Sequence, residues 1–146
     1  MEVKNTNTIS VMHLNQIRTS HARALQMFLK FCNKYRKLKC EIENEEVKNH
    51  LRLLDRFFFD EKGKIEWNII RSLMPQDIEK RIKKEHGILS DKEVKLCCLI
   101  LFRIPCVDIA DILPYSYKTV HVITHKIKQK TGMKNIKENL NKFLLP

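Results

Sequence analysis

From Leu14 to Ile42 the apolar stripe runs Leu14, Ile17, His21, Ala24, Phe28, Phe31, Tyr35, Leu38 and Ile42, in steps that alternate three and four. A 3.5-residue spacing held over four heptads fits one face of a helix and conflicts with the two-residue period of a strand. Positions off the stripe are largely Lys, Arg, Asn, Gln and Ser, as the solvated side of such a helix requires. The register breaks at Glu43 to Glu46 and resumes as Val47, Leu51, Leu54 and Phe58. Two arrangements fit this pattern: a long helix that dimerises as a coiled coil, or a helical hairpin of residues 9–41 and 44–59. Leu14, Ile17, Phe28, Phe31, Tyr35 and Leu38 are the expected dimerisation positions.

The rest of the chain is also helical in pattern. Only three glycines and four prolines interrupt 146 residues, and strict apolar alternation is absent. Hydrophobic residues make up 43%, enough for a core, so the expected class is all-α. Phe57, Phe58 and Phe59 cannot share one helix face, so that end should be enclosed. Asp60 to Lys64 reads as a turn, Glu66 to Leu73 as a short helix, and Pro75 to Glu85 as another, with proline at its first position and Gly87 at its end. Residues 61–88 then form a connector packed on the three phenylalanines, between an N-terminal dimerisation or signal-input region (1–60) and a C-terminal unit (89–146).

That C-terminal unit has punctuated helix boundaries. Ser90 and Glu93 have the capping-box spacing, with Leu89 placed as a staple. Pro105 enters a second helix, 106–113, and Pro114 ends it. Ser116 caps a third helix, 116–131, and Asn135 with Glu138 repeats the box for a fourth, 135–145. In the third helix Val120, Ile123 or Thr124, Ile127 and Thr131 point inward, leaving Lys118, His121, Val122, His125, Lys126 and Lys128 outside.

Charge concentrates in the same place. The chain carries a net +11, and residues 116–146 hold seven lysines against one acid, Glu138. A basic excess on one element is the electrostatic footprint of a phosphate-backbone partner. A solvated lysine-rich face is the plainer account of the same charge.

The order of these segments resembles the DNA-binding domain of the LuxR/NarL response-regulator family, a four-helix helix-turn-helix. Leu89-Ser90-x-x-Glu93 stands for the family's L-T-x-x-E, Asp108-Ile109-Ala110 for E-I-A, Ser116-x-Lys118-Thr119-Val120 for S-x-x-T-V and Lys130-x-Gly132 for K-L-G. The match runs ungapped from Leu89 to Met133, and the apolar segment Leu96 to Ile100 is similar to a branch in which this domain follows helical repeats or coiled coils. Arg103 occupies the position of the family's turn glycine, Ile104-Pro105 replaces Leu-Ser, and Ile123 replaces a histidine, marking a divergent member.

The resemblance implies a sequence-specific transcription regulator that reads double-stranded DNA as a homodimer. Its base contacts would fall on His121, Val122 and His125, a set the helical face gives independently. Ser116, Tyr117, Lys118, Thr119, Lys126 and Lys128 would meet phosphates. RNA polymerase is a further candidate partner, since the arrangement is also similar to region 4 of sigma factors. The alternative from a different class is a helical protein–protein adaptor with a degenerate helix-turn-helix.

Other chemistry finds little footing. No Ser/His/Asp order, glycine-rich phosphate loop or paired carboxylate cluster is present, so neither an enzyme nor a cofactor is expected. The i, i+4 pair His121 and His125 has chelating spacing, but no carboxylate or cysteine shares its face, and no metal is expected. Cys32, Cys40, Cys97, Cys98 and Cys106 fit no zinc spacing and read as small core hydrophobes in a reducing compartment. With no signal peptide and no apolar run of spanning length, a cytoplasmic location and no membrane partner are expected.

Overall fold

A computed structural model describes residues 2–145, with side chains from residue 11 onward. Its elements are α1 (Glu2–Glu41), α2 (Glu45–Phe58), α3 (Trp67–Ser72), α4 (Ile78–Glu85), α5 (Asp91–Leu101), α6 (Cys106–Ile109), α7 (Tyr117–Thr131), α8 (Ile136–Asn139) and a final 3-10 turn, Asn141–Leu144. No strand occurs among the described residues beyond an isolated bridge between Phe59 and Ile65, so the all-α expectation holds. No described helix is long and apolar enough to cross a membrane.

The N-terminal stripe resolves as a hairpin within one chain. Asn44 caps α2 by accepting the Val47 amide at 3.1 Å, which turns the backbone without glycine or proline. Tyr35 Oη donates to the Leu51 carbonyl (3.0 Å) and to Asp55 Oδ1 (2.8 Å), and Lys39 Nζ donates to Asp55 Oδ2 (2.9 Å). Phe58 is the apolar pin, with ring centroids 5.5–6.2 Å from Phe28, Phe31 and Tyr35. Burial, and then Asp55, push the Tyr35 phenol up to about 12. Phe57 is not enclosed: it is 67% exposed, while Phe58 and Phe59 are half-buried.

The predicted stripe is a flank of α1 rather than its buried ridge. Ala22, Leu25, Leu29 and Cys32 are the buried apolar positions, and they join a single cluster with Ile65, Ile70, Leu99, Phe102, Leu140 and Leu144. Leu14, Ile17 and Phe28 are half-buried beside that cluster. Phe31 (49%) and Leu38 (60%) stay exposed. Two stripes of equal period lie side by side on α1, and the choice between them depends on which partner each one meets. The core takes one, and α2 takes part of the other. His21 Nδ1 donates to the Leu73 carbonyl at 2.8 Å, so this stripe residue is a link between α1 and the end of α3.

The connector is core rather than a cover for the phenylalanines. Ile70, Met74, Ile78 and Ile82 are buried with α5, whose Leu96, Cys97, Cys98, Leu99 and Leu101 are enclosed on nearly every side. Burial pushes the Cys97 thiol up to about 12 and that of Cys98 well above its ordinary value, as befits inert core groups. Two boundaries and one cap differ from expectation. α4 begins at Ile78, not Pro75, because Asp77 adopts a left-handed φ of 57° immediately before it. It ends at Glu85 as expected, but with His86 as its cap and no positive φ at Gly87. The helix expected over 135–145 divides at Leu140. There Asn135 caps the Glu138 amide, but its own N–H goes to Asn139 Oδ1 rather than to a Glu138 carboxylate.

Candidate nucleic-acid interface

The scaffold for the site is α5, the α5–α6 turn, α6 and α7. At the start of α5 the expected capping box is formed: Glu93 N–H donates to Ser90 Oγ (3.2 Å), and Ser90 N–H donates to Glu93 Oε1 (2.9 Å). Glu93 is only 7% exposed, and the same carboxylate accepts two bonds from Lys130 Nζ, at 2.9 and 3.0 Å. Burial pushes the Glu93 carboxyl up. The Ser90 amide, the Lys130 ammonium and the Ser90 hydroxyl more than offset that, holding it below the ordinary carboxylate range. One acid therefore closes the start of α5 and clamps the last turn of α7.

α5 ends in a Schellman turn. Arg103 N–H bonds to the Ile100 carbonyl and Ile104 N–H to the Leu99 carbonyl, both at 3.0 Å, and Arg103 takes a left-handed φ of 58°. This is the conformation that favours glycine. α6 is shorter than expected, a single turn over Cys106–Ile109 followed by tight turns to Leu113. Past Ile109 the amides of Asp111 and Ile112 bond three residues back, and the carbonyls of Ala110 and Asp111 accept from Lys64 Nζ (2.7 Å) and the Ile65 amide (3.0 Å), tying this segment to residues 64–65. Pro114 then closes the segment.

α7 begins where predicted. Ser116 Oγ accepts the Thr119 amide at 3.3 Å and lies 2.8 Å from Thr119 Oγ1. Gly132, with φ 76°, ends the helix. Val120 and Ile127 are buried and Ile123 and Thr124 half-buried, as the inward pattern required. Thr131 is also half-buried, its hydroxyl bonded to the Ile127 carbonyl.

Lys118, His121, Val122 (55% exposed), His125 and Lys126 are all exposed on the other side. At about 100° per residue, Lys118, Val122 and His125 lie opposite Val120 and Ile127, with His121 and Lys126 on the flanks. Tyr117 is exposed and meets the His121 ring edge-on, with centroids 4.8 Å apart. Lys128 is half-buried and Thr119 partly covered. Gln129 is an addition to the contacts expected from sequence. It is exposed one turn beyond His125 on the same ridge, and its amide can both donate and accept. The i, i+4 and i, i+7 spacing from His125 and Val122 is the signal that marks it.

The cationic character of this face is largely uncompensated. Of the seven lysines after Ser116, Lys130 pairs with Glu93 and Lys142 with Glu85. Among the described residues Lys118, Lys126, Lys128, Lys134 and Lys137 have no carboxylate within ion-pair distance. The described residues also contain no group of three or more His, Cys, Asp or Glu able to hold one metal ion. Chemically, the arrangement offers a convex helix with hydrogen-bonding tips, one aliphatic contact and a fringe of free ammonium groups.

Comparison with known proteins gives no match to a family model, to a curated sequence or to a solved structure.

Proposed function

We propose that this chain is a sequence-specific, double-stranded DNA-binding transcription regulator, a divergent relative of LuxR-type domains that uses α7 as its recognition helix. The observation that carries the reading is the exposed ridge Lys118, Val122, His125 and Gln129, set opposite the buried ridge of α7, flanked by His121 and fringed by lysines without acidic partners. His121, His125 and Gln129 would read base edges, and Val122 would touch a thymine methyl. Lys118, Lys126 and Lys128, with the hydroxyls and amides around Ser116, Tyr117 and Thr119, would fix register on phosphates. The left-handed φ of Arg103 supports the family resemblance, because the family's glycine belongs at a position of this conformation. A homodimer would set two such helices about one DNA turn apart, roughly 34–36 Å. The exposed Phe31, Leu38, Leu54 and Phe57 of the α1–α2 hairpin are apolar groups suited to that contact.

The test is selection of bound duplexes from a random library, then salt titration on the winner. A pseudo-palindrome bound about a thousandfold more tightly than bulk DNA is expected. His121→Ala and His125→Ala should erode discrimination by about 1–3 kcal/mol per lost base contact, whereas Lys126→Ala should weaken all duplexes and lower the salt slope by about one. Equal losses on every sequence for all three variants would sink this division of roles.

The exposed apolar hairpin also favours a second reading, a protein–protein adaptor that recruits a partner through α1 and α2. Such an adaptor would show little salt-dependent duplex binding.

A further inference from the structure

Arg18 is an anomaly for a lysine- and arginine-rich helix surface: it is 4% exposed. Its Nη1 donates to Asn15 Oδ1 at 3.3 Å, while Nε and Nη2 are buried without an acceptor. A guanidinium offers five donors in a rigid fork and cannot shed its charge, so burying it with part of the fork unused is costly. No carboxylate lies within ion-pair distance of it among the described residues. Burial and the nearby Arg103 both press its pKa below the ordinary value, against a weaker pull from Glu138.

Arg18 lines a small cleft of about 230 Å³ between α1 and the α5–α6 turn, together with Thr19, Ala22, Arg23, Gln26 and Arg103. Three guanidiniums border it, and no acid does. Arg103 is also the residue held at a left-handed φ of 58°. An orphaned buried fork and a strained backbone thus converge on one cavity, where positive charges face one another. Strain of this kind persists where surrounding structure or function over-determines it.

We infer that this cavity is a binding site for a small phosphate-type oxyanion, anchored on the buried fork of Arg18 and closed by Arg23 and Arg103. Guanidinium forks match phosphate oxygens bidentately, and an anion in the cleft would give Arg18 the counter-charge it lacks while relieving the repulsion between Arg18 and Arg103. The volume lies below the roughly 300 Å³ at which pockets for drug-sized ligands begin, so the occupant is a phosphate group or phosphomonoester head, not an entire nucleotide. Because its walls come from α1 and from the turn that leads to α6 and α7, an occupant would join the N-terminal helix to the candidate DNA-reading unit.

The probe is inorganic phosphate, titrated into the full chain during thermal unfolding, with sodium chloride at matched ionic strength as the control. Phosphate should raise Tm saturably by about 3 °C or more, chloride should not, and Arg23→Gln/Arg103→Gln should abolish the difference. Both exchanged residues are exposed, so this variant does not rest on refilling the core. Arg18→Met, an apolar replacement of similar length, should fold and lose the response. If it does not fold, the double variant decides. Equal shifts with the two salts, or a phosphate response that survives the double variant, would overturn the site.

Two sources share this chemistry, and a second arm separates them. If a DNA backbone phosphate is the occupant, the double variant should lower the salt slope of duplex binding by about one, and phosphate should compete with duplex. An unchanged slope beside an intact phosphate response of the parent chain assigns the site to a free phosphorylated small molecule. Absence of all duplex binding would refute the DNA-binding reading, and the phosphate titration would still decide the cavity on its own.

Discussion

Replacing Arg103 by glycine isolates the strain in the α5–α6 turn. A side chain in the left-handed region costs about 1–2 kcal/mol relative to the ordinary helical well. Glycine removes that cost but widens the unfolded ensemble, which returns about 0.4–1 kcal/mol. The Schellman bonds from Arg103 and Ile104 use only the backbone and survive the change. The net expectation is a gain of about 0.5–1 kcal/mol, or about 1–4 °C in Tm for a chain of this size. Arg103 also faces Arg18, so removing its charge adds a second, electrostatic gain. Arg103→Ala separates the two, since it deletes the charge and keeps the Cβ at φ 58°. Arg103→Asn, a residue that tolerates this region, should fall between alanine and glycine. Urea and thermal unfolding of the four proteins give the comparison. A glycine variant no more stable than the alanine variant would refute backbone strain at 103.

Two further perturbations test the packing of the unit. Glu93→Gln should cost about 1–3 kcal/mol in urea unfolding, because the buried carboxylate serves both the Ser90 amide and Lys130. With its folded pKa held below the ordinary 4.5, its contribution is complete above about pH 4.5 and is lost as pH falls through the folded value. The glutamine variant should therefore lose less stability on acidification than the parent, and parallel acid profiles would contradict the pairing. Leu25→Ala should cost about 2–5 kcal/mol, since Leu25 is fully enclosed in the shared core. A loss under about 1 kcal/mol would mean that α1 is not part of that core in solution.

The parts of this molecule that could be read from the sequence are those fixed by short-range bonds. Ser90 with Glu93, Ser116 with Thr119 and Gly132 act within four residues, so their spacing alone locates the ends of α5 and α7. Val120 and Ile127 follow from helical periodicity for the same reason. What escaped was decided across the fold. After Ile109 the chain tightens to three-residue bonds while Lys64 and Ile65 tie the Ala110 and Asp111 carbonyls across the fold, and nothing in residues 106–113 announces those partners. The buried ridge of α1 could not be told from its neighbour, since both repeat in threes and fours. The difference lies in what packs there, and Ala22, Cys32 and Arg18 look weaker on paper than Phe31 and Leu38. Arg18 shows the mechanism most sharply. A charged residue between polar neighbours reads as solvated helix surface, and packing against the far half of the chain, where Arg103 and Glu138 lie near it, encloses it. The same packing brings it near Arg103, whose own oddity was visible in sequence as an arginine where the LuxR-type domains that the segment resembles have glycine. A residue that occupies a glycine position and also faces a buried charge bears two burdens, and their meeting in one cavity is what a local pattern cannot express.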